Sequence, residues 1–182
     1  TSLLTANDTV GTYQATATAG AAPPATFALT NRIVSTATAT ILGGAGQSVV
    51  VGLPFAQPLS LIVKDSTGRT VEGVKVTFTL PAGTLSGTFP GATPTTLVTY
   101  TNGSGVATSD IVTAKTRSGT FNARATLAGL AGSTNFALTV LPDVPFRATA
   151  SVGAQSVAAG SAFARAPSLY VTDQYNNRVP GV

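Results

Sequence analysis

An all-β chain built from repeated two-sheet sandwiches is predicted by three observations. Apolar and polar residues alternate with a period of two in many short runs, as in strands with one buried face. Gly, Pro, Asn and Asp punctuate these runs about every 8–12 residues, the spacing of all-β sandwiches. The chain also repeats itself: residues 47–74, QSVVVGLPFAQPLSLIVKDSTGRTVEGV, lie without a gap over residues 155–182, QSVAAGSAFARAPSLYVTDQYNNRVPGV, an offset of 108.

Gly52 falls on Gly160, Phe55 on Phe163, Leu61 on Leu169, Val63 on Val171, Asp65 on Asp173, Val71 on Val179 and Gly73 on Gly181. The same offset carries GTYQATAT at residues 11–18 onto GTFNARAT at residues 119–126, and with one residue of slippage FALT at 27–30 recurs at 136–139. A period so far above the roughly 20–50 residues of solenoids makes each repeat a domain of ordinary size. The expected organisation is the closing strands of one repeat over residues 1–31, a complete repeat over residues 32–142, and the opening strands of the next over residues 143–182.

Taken in order, residues 12–19 alternate with Tyr13, Ala15, Ala17 and Ala19 on one face, and a second short strand turns Phe27 and Leu29 inward. Residues 33–40 are a Thr-rich first strand, Gly43-Gly44-Ala45-Gly46 interrupts it, and residues 47–51 resume it; such a break lets one strand serve two sheets. Leu59, Leu61 and Val63 face one way, and Asp65-Ser66-Thr67-Gly68 is a turn in which Asp accepts backbone N–H groups and Gly takes a positive φ. Asn176 stands where Gly68 does, and Asn also tolerates the left-handed region.

Val74, Val76, Phe78 and Leu80 form the inward face of the next strand. Residues 81–94, rich in Gly, Pro and Thr, read as loop plus an edge strand. Residues 95–113 are predicted to be a hairpin about Asn102-Gly103, and residues 120–140 a second hairpin about residues 129–132. The expected core holds Phe55, Leu61, Val63, Val76, Phe78, Tyr100, Phe121, Phe136 and Leu138. Leu141-Pro142-Asp143-Val144-Pro145 is a short, stiff linker, because each proline fixes its own φ and restricts the residue before it.

Composition narrows the function classes. With 43% hydrophobic and only 9% charged residues the chain is too apolar to be disordered. It contains no Cys, His, Met or Trp, which removes thiolate nucleophiles, imidazole bases and the usual transition-metal ligands. Ten Lys and Arg stand singly against six Asp and Glu, and nowhere do basic residues cluster with aromatics as nucleic-acid grooves require. No run of about 18 apolar residues spans a membrane.

Seven or more short strands per repeat without helical periodicity point to a sandwich of immunoglobulin type. The pattern V-x-D-x-x-G-x-x-V-x-G-V-x-V-x-F at residues 63–78, followed by T-N-G-x-G-V-A at residues 101–107, resembles the bacterial immunoglobulin-like repeats of the invasin and intimin class. The third repeat keeps Val171, Asp173, Val179, Gly181 and Val182 of that pattern. The resemblance implies tandem domains in an extended stalk or fibre of a secreted or surface-exposed bacterial adhesin, acting in attachment, cell–cell contact or biofilm. The partners it implies are the neighbouring repeats and other copies in a fibre, with neither nucleic acid nor membrane contacted by this segment. Two alternatives are a filament subunit polymerised by strand exchange and a carbohydrate- or receptor-binding module. Because the first and last repeats are incomplete, the chain is expected to be a window on a longer fibre.

No catalytic, cofactor or metal site is predicted. Gly46-Gln47-Ser48-Val49-Val50 fails the nucleophile-elbow pattern at its last position, and residues 43–48 lack the Gly-Lys-Ser/Thr of a phosphate loop. Asp65, Asp110 and Asp143 are the acids nearest a possible inter-repeat calcium site, but they are isolated, and turn formation accounts for Asp65 and Asp173. Lys64 and Lys75 are the candidates for an isopeptide crosslink, yet Thr172 replaces Lys64 in the next repeat. Asn7 and Asn102 match a glycosylation sequon, and Asn102 is already explained by its turn. Tyr170 and Tyr175 are the aromatics offered to a carbohydrate, with Ile62 and Thr67 at the matching earlier positions.

Overall fold

The structure is a computed structural model that describes residues 4–5, 11–31, 37–130 and 132–182. It is all-β, with several sheets and no helix among the described residues. The strands in chain order are β1 (Gly11–Ala17), β2 (Ala25–Asn31), β3 (Thr38–Gly43), β4 (Ser48–Val50), β5 (Ser60–Lys64), β6 (Lys75–Thr79), β7 (Gly87–Thr88), β8 (Thr96–Tyr100), β9 (Val106–Thr108), β10 (Thr113–Ala114), β11 (Gly119–Leu127), β12 (Thr134–Leu141), β13 (Arg147–Ala150) and β14 (Leu169–Thr172).

Strands β3 to β12 make a five-stranded sheet of order β4-β12-β11-β6-β8, a three-stranded sheet of order β3-β5-β9, and the small pair β10-β7. Their facing side chains share one core. Leu61 and Val63 from β5 and Ala107 from β9 meet Val76, Phe78, Phe121, Phe136 and Leu138 from the larger sheet. Two ring contacts pack within this core: Phe78 against Phe136, both from the larger sheet, at 6.0 Å between centroids, and Phe55, from the segment between β4 and β5, edge-on against Phe121 at 6.4 Å. Burying side chains of this size is worth about 1.5–3 kcal/mol each.

The break after Thr40 does what its glycines suggest. β3 pairs antiparallel with β5 in the small sheet, and β4 pairs parallel with β12 in the large one. The crossing needs Gly44, at φ +84°, because a Cβ there would collide with the carbonyl of Pro58. Gln47 spans the gap: its amide donates to the carbonyls of Gly44 and Gln57, and its Oε1 accepts from the Gln57 amide. The first-strand expectation is thus shifted, with pairing over Thr38–Gly43; residues 32–36 lie outside the described residues.

The internal repeat is visible as repeated hydrogen bonding. Gln155 bonds both backbone groups of Arg165 as Gln47 does those of Gln57, at the 108-residue offset. β13 pairs with β14 as β3 does with β5, and the bridge Thr172 to Arg178 reproduces that of Lys64 to Thr70. The bulge between Ile41 and Gly43 accommodates Leu42, for which the third repeat has no counterpart. In the first repeat β1 pairs with β2 in the register of β11 with β12, Ala15 opposite Phe27 and Ala123 opposite Phe136, so the one-residue slippage is real.

Three expectations are corrected. Residues 95–113 are not a hairpin: β8 pairs with β6 and β9 with β5, so the chain crosses from one sheet to the other at Asn102–Gly105. Gly105, at φ +72°, makes the crossing, since a Cβ would stand 2.8 Å from the Val63 carbonyl whose neighbouring amide bonds Gly105. Tyr100 is not core; it is 50% exposed, because Leu97 and Thr99 take the inward side of β8 and leave Val98 and Tyr100 outward. Tyr13 and Phe27 are also exposed, since the hairpin of β1 and β2 pairs with no further strand among the described residues.

Candidate functional site

The most elaborated polar site lies where the third repeat meets the second, and it grows out of a turn. After β5, Asp65 Oδ1 accepts from the amides of Thr67 and Arg69 and from the Thr67 hydroxyl, while the Gly68 amide closes onto the Asp65 carbonyl. After β14 the same geometry recurs. Asp173 Oδ1 accepts from the amides of Tyr175 and Asn177, and Asn176 takes the place of Gly68 at φ +63°. Both aspartates are therefore turn formers, as expected, and the left-handed Asn is confirmed.

The second copy goes further. Asp173 is 1% exposed, and its other oxygen accepts from the Asn177 side-chain amide at 2.8 Å and from the backbone amide of Asp143, in the linker, at 3.0 Å. Asn177, also buried, reaches across to the 115–119 turn of the preceding repeat. Its Nδ2 donates to the Thr116 carbonyl at 2.8 Å and its Oδ1 accepts from the Ser118 amide at 2.9 Å. Gln174 donates to Asp143 Oδ2, and the Phe146 amide donates to the Thr172 carbonyl, so both ends of the Pro-bounded linker are held.

Electrostatics agree with this arrangement. Burial alone would raise the Asp173 carboxyl, but the donors from Asn177, Asp143 and Tyr175 outweigh it and hold the group below its ordinary value. Asp65 is lowered as well, chiefly by the Thr67 hydroxyl and then by the Arg69 amide. No buried polar side-chain atom among the described residues is left without a partner. Chemically the joint is a set of saturated hydrogen bonds; it presents fixed geometry and no reactive group.

The other candidates scatter. Asp110 is exposed, Asp65 sits in its own turn, and Asp143 meets Asp173 only through its backbone amide. Among the described residues no three acids or other ligating side chains gather. Lys64 is exposed at the end of β5, and Lys75, at the start of β6, stands opposite Tyr100. Asn102 Oδ1 accepts from the amides of Ser104 and Val106, the same turn device as Asp65, whereas Asn7 lies outside the described residues. Arg178 lies over the Tyr170 ring at 4.5 Å from its centroid, so that ring face is occupied. The turn at residues 115–119 is legible in the sequence, but Asn177 and the contact it makes with that turn were missed; the available signal was that Arg69 stands where Asn177 does.

Neither a family model nor a curated protein matches the chain. Among solved structures it aligns with Yersinia pseudotuberculosis InvD at 14% identity and a TM-score of 0.42, over 97% of this chain and 65% of that one.

Proposed function

We propose that this chain is a non-catalytic structural segment of a bacterial adhesin or fibre protein outside the cell, in which tandem immunoglobulin-like sandwiches form an extended stalk. The observation that carries the reading is the joint: a buried carboxylate and a buried amide are spent on fixing one repeat against the turn and linker of the one before it. At this joint the polar groups of Asp173 and Asn177 are turned inward and bonded to the linker and to the preceding repeat, which supports a fixed junction between repeats rather than a ligand pocket.

The immunoglobulin-like part of the reading is supported by the strand order, in which the first strand splits between two sheets and its second half runs parallel to the last strand. Residues 32–142 are then one sandwich, flanked by parts of two others. Mass spectrometry of the protein from its native source tests this. A chain several repeats long is the expected result, and an intact native chain near 18.1 kDa would overturn the stalk.

A further inference from the structure

Among the described residues no strand pairs with the outer edge of the five-stranded sheet. β8 is its last strand, and the alternation of its bonds says which groups are free. Leu80 N donates to Thr95 O and Thr101 N to Val74 O, so Thr95, Leu97, Thr99 and Thr101 bond to β6, and the backbone groups of Thr96, Val98 and Tyr100 point away from the sheet. The opposite side of β6 keeps the same parity, since Ala128 N donates to Lys75 O. Thr96 is capped locally: its amide donates to the Thr93 carbonyl and its carbonyl accepts from the Thr93 hydroxyl. Among the described residues Val98 and Tyr100 have no such cap, and the two residues are 49% and 50% exposed.

Edge strands are ordinarily protected by charge, proline or a bulge. β8 carries none of these, and no charged residue stands between Lys75 and Asp110. We propose that this edge pairs with the same edge of a second copy of the chain, antiparallel about a twofold axis at Thr99, joining two five-stranded sheets side by side. That register sets Val98 of each copy opposite Tyr100 of the other, a β-branched and aromatic pair of the favoured kind, and engages the free amides and carbonyls of both residues. An uncharged edge selects no charged partner and meets no repulsion from its own copy. Lys75, the nearest charged residue on β6, lies one strand in from the edge, so the two Lys75 backbones stand three strand spacings apart, about 14 Å, against a screening length of roughly 8 Å at physiological salt.

This pairing is lateral and does not depend on the stalk reading; it could hold for an isolated domain. The protein contains no cysteine, so a single one introduced is an unambiguous probe. In the twofold register residue 99 faces itself in a non-hydrogen-bonded pair, with Cα atoms about 4.5 Å apart, within disulfide reach. The full 182-residue chain carrying Thr99→Cys is expected to oxidise to a covalent dimer, and Thr96→Cys, which has no facing copy in that register, is not. Adding Val98→Pro, which deletes only an outward amide, or Val98→Lys should abolish the crosslink with circular dichroism and melting temperature unchanged. Equal crosslinking at positions 96 and 99, absence of any dimer at position 99, or a dimer indifferent to both Val98 variants would each overturn the proposal.

Discussion

Truncating Asn177 isolates the joint from the folds on either side of it. In Asn177→Ala three side-chain bonds disappear: to Asp173 at 2.8 Å, to the Thr116 carbonyl at 2.8 Å, and from the Ser118 amide at 2.9 Å. The first lies within the third repeat, so only the other two join the repeats. At about 0.5–1.5 kcal/mol for each neutral bond they supply roughly 1–3 kcal/mol of docking free energy. That corresponds to an increase of about 5–150-fold in the opening of the joint. Hydrogen exchange reads it at the Asp143 amide in the linker, whose acceptor, Asp173 Oδ2, the substitution leaves in place. Exchange at Asp143 should accelerate within that range, while ladder amides such as those of β11 and β12 keep their rates, since the core holding Phe121 and Leu138 is untouched. Unchanged exchange at Asp143, or equal acceleration in β11 and β12, would refute the reasoning.

Other outcomes follow from the same geometry. Phe78→Ala removes a fully buried ring packed on Phe136 and should cost about 3–5 kcal/mol by denaturant titration, so an unmoved transition would remove Phe78 from the core. Because Asp173 is held below its ordinary value of 3.8, its contribution to the joint is fully present above that value and is lost as pH falls through the depressed one. The Asp143 amide signal should accordingly change only on that acid side, and a transition at higher pH would assign the joint to another group. EDTA should leave the melting temperature in place, and a fall of more than a few degrees would make Asp143 a metal ligand.

Much of this fold was legible because its signals are local. Asp65 and Asp173 mark turns by the bonds their short side chains make, and the alternation from Val74 to Leu80 names a buried face from any window that contains it. The β8 strand was harder. Thr-Leu-Val-Thr-Tyr offers apolar or β-branched residues on both faces, so its pattern does not say which face is buried, and Tyr100 lies on the outward one. Asn-Gly at 102–103 signals reversal without saying which sheet receives the returning strand; that is decided by Thr101, which holds Val71 and Val74, and by Gly105 beneath Val63. The joint was least legible, because Asn177 acts on residues about 60 positions earlier, and only the folded chain brings them together.

Electron microscopy of the protein from its native source tests the stalk most directly. Straight, unbranched rods with a bead for each repeat, whose length is unchanged under conditions that separate non-covalent subunits, are the expected result. Isolated globules, or rods that fall into short chains when non-covalent contacts are broken, would contradict it.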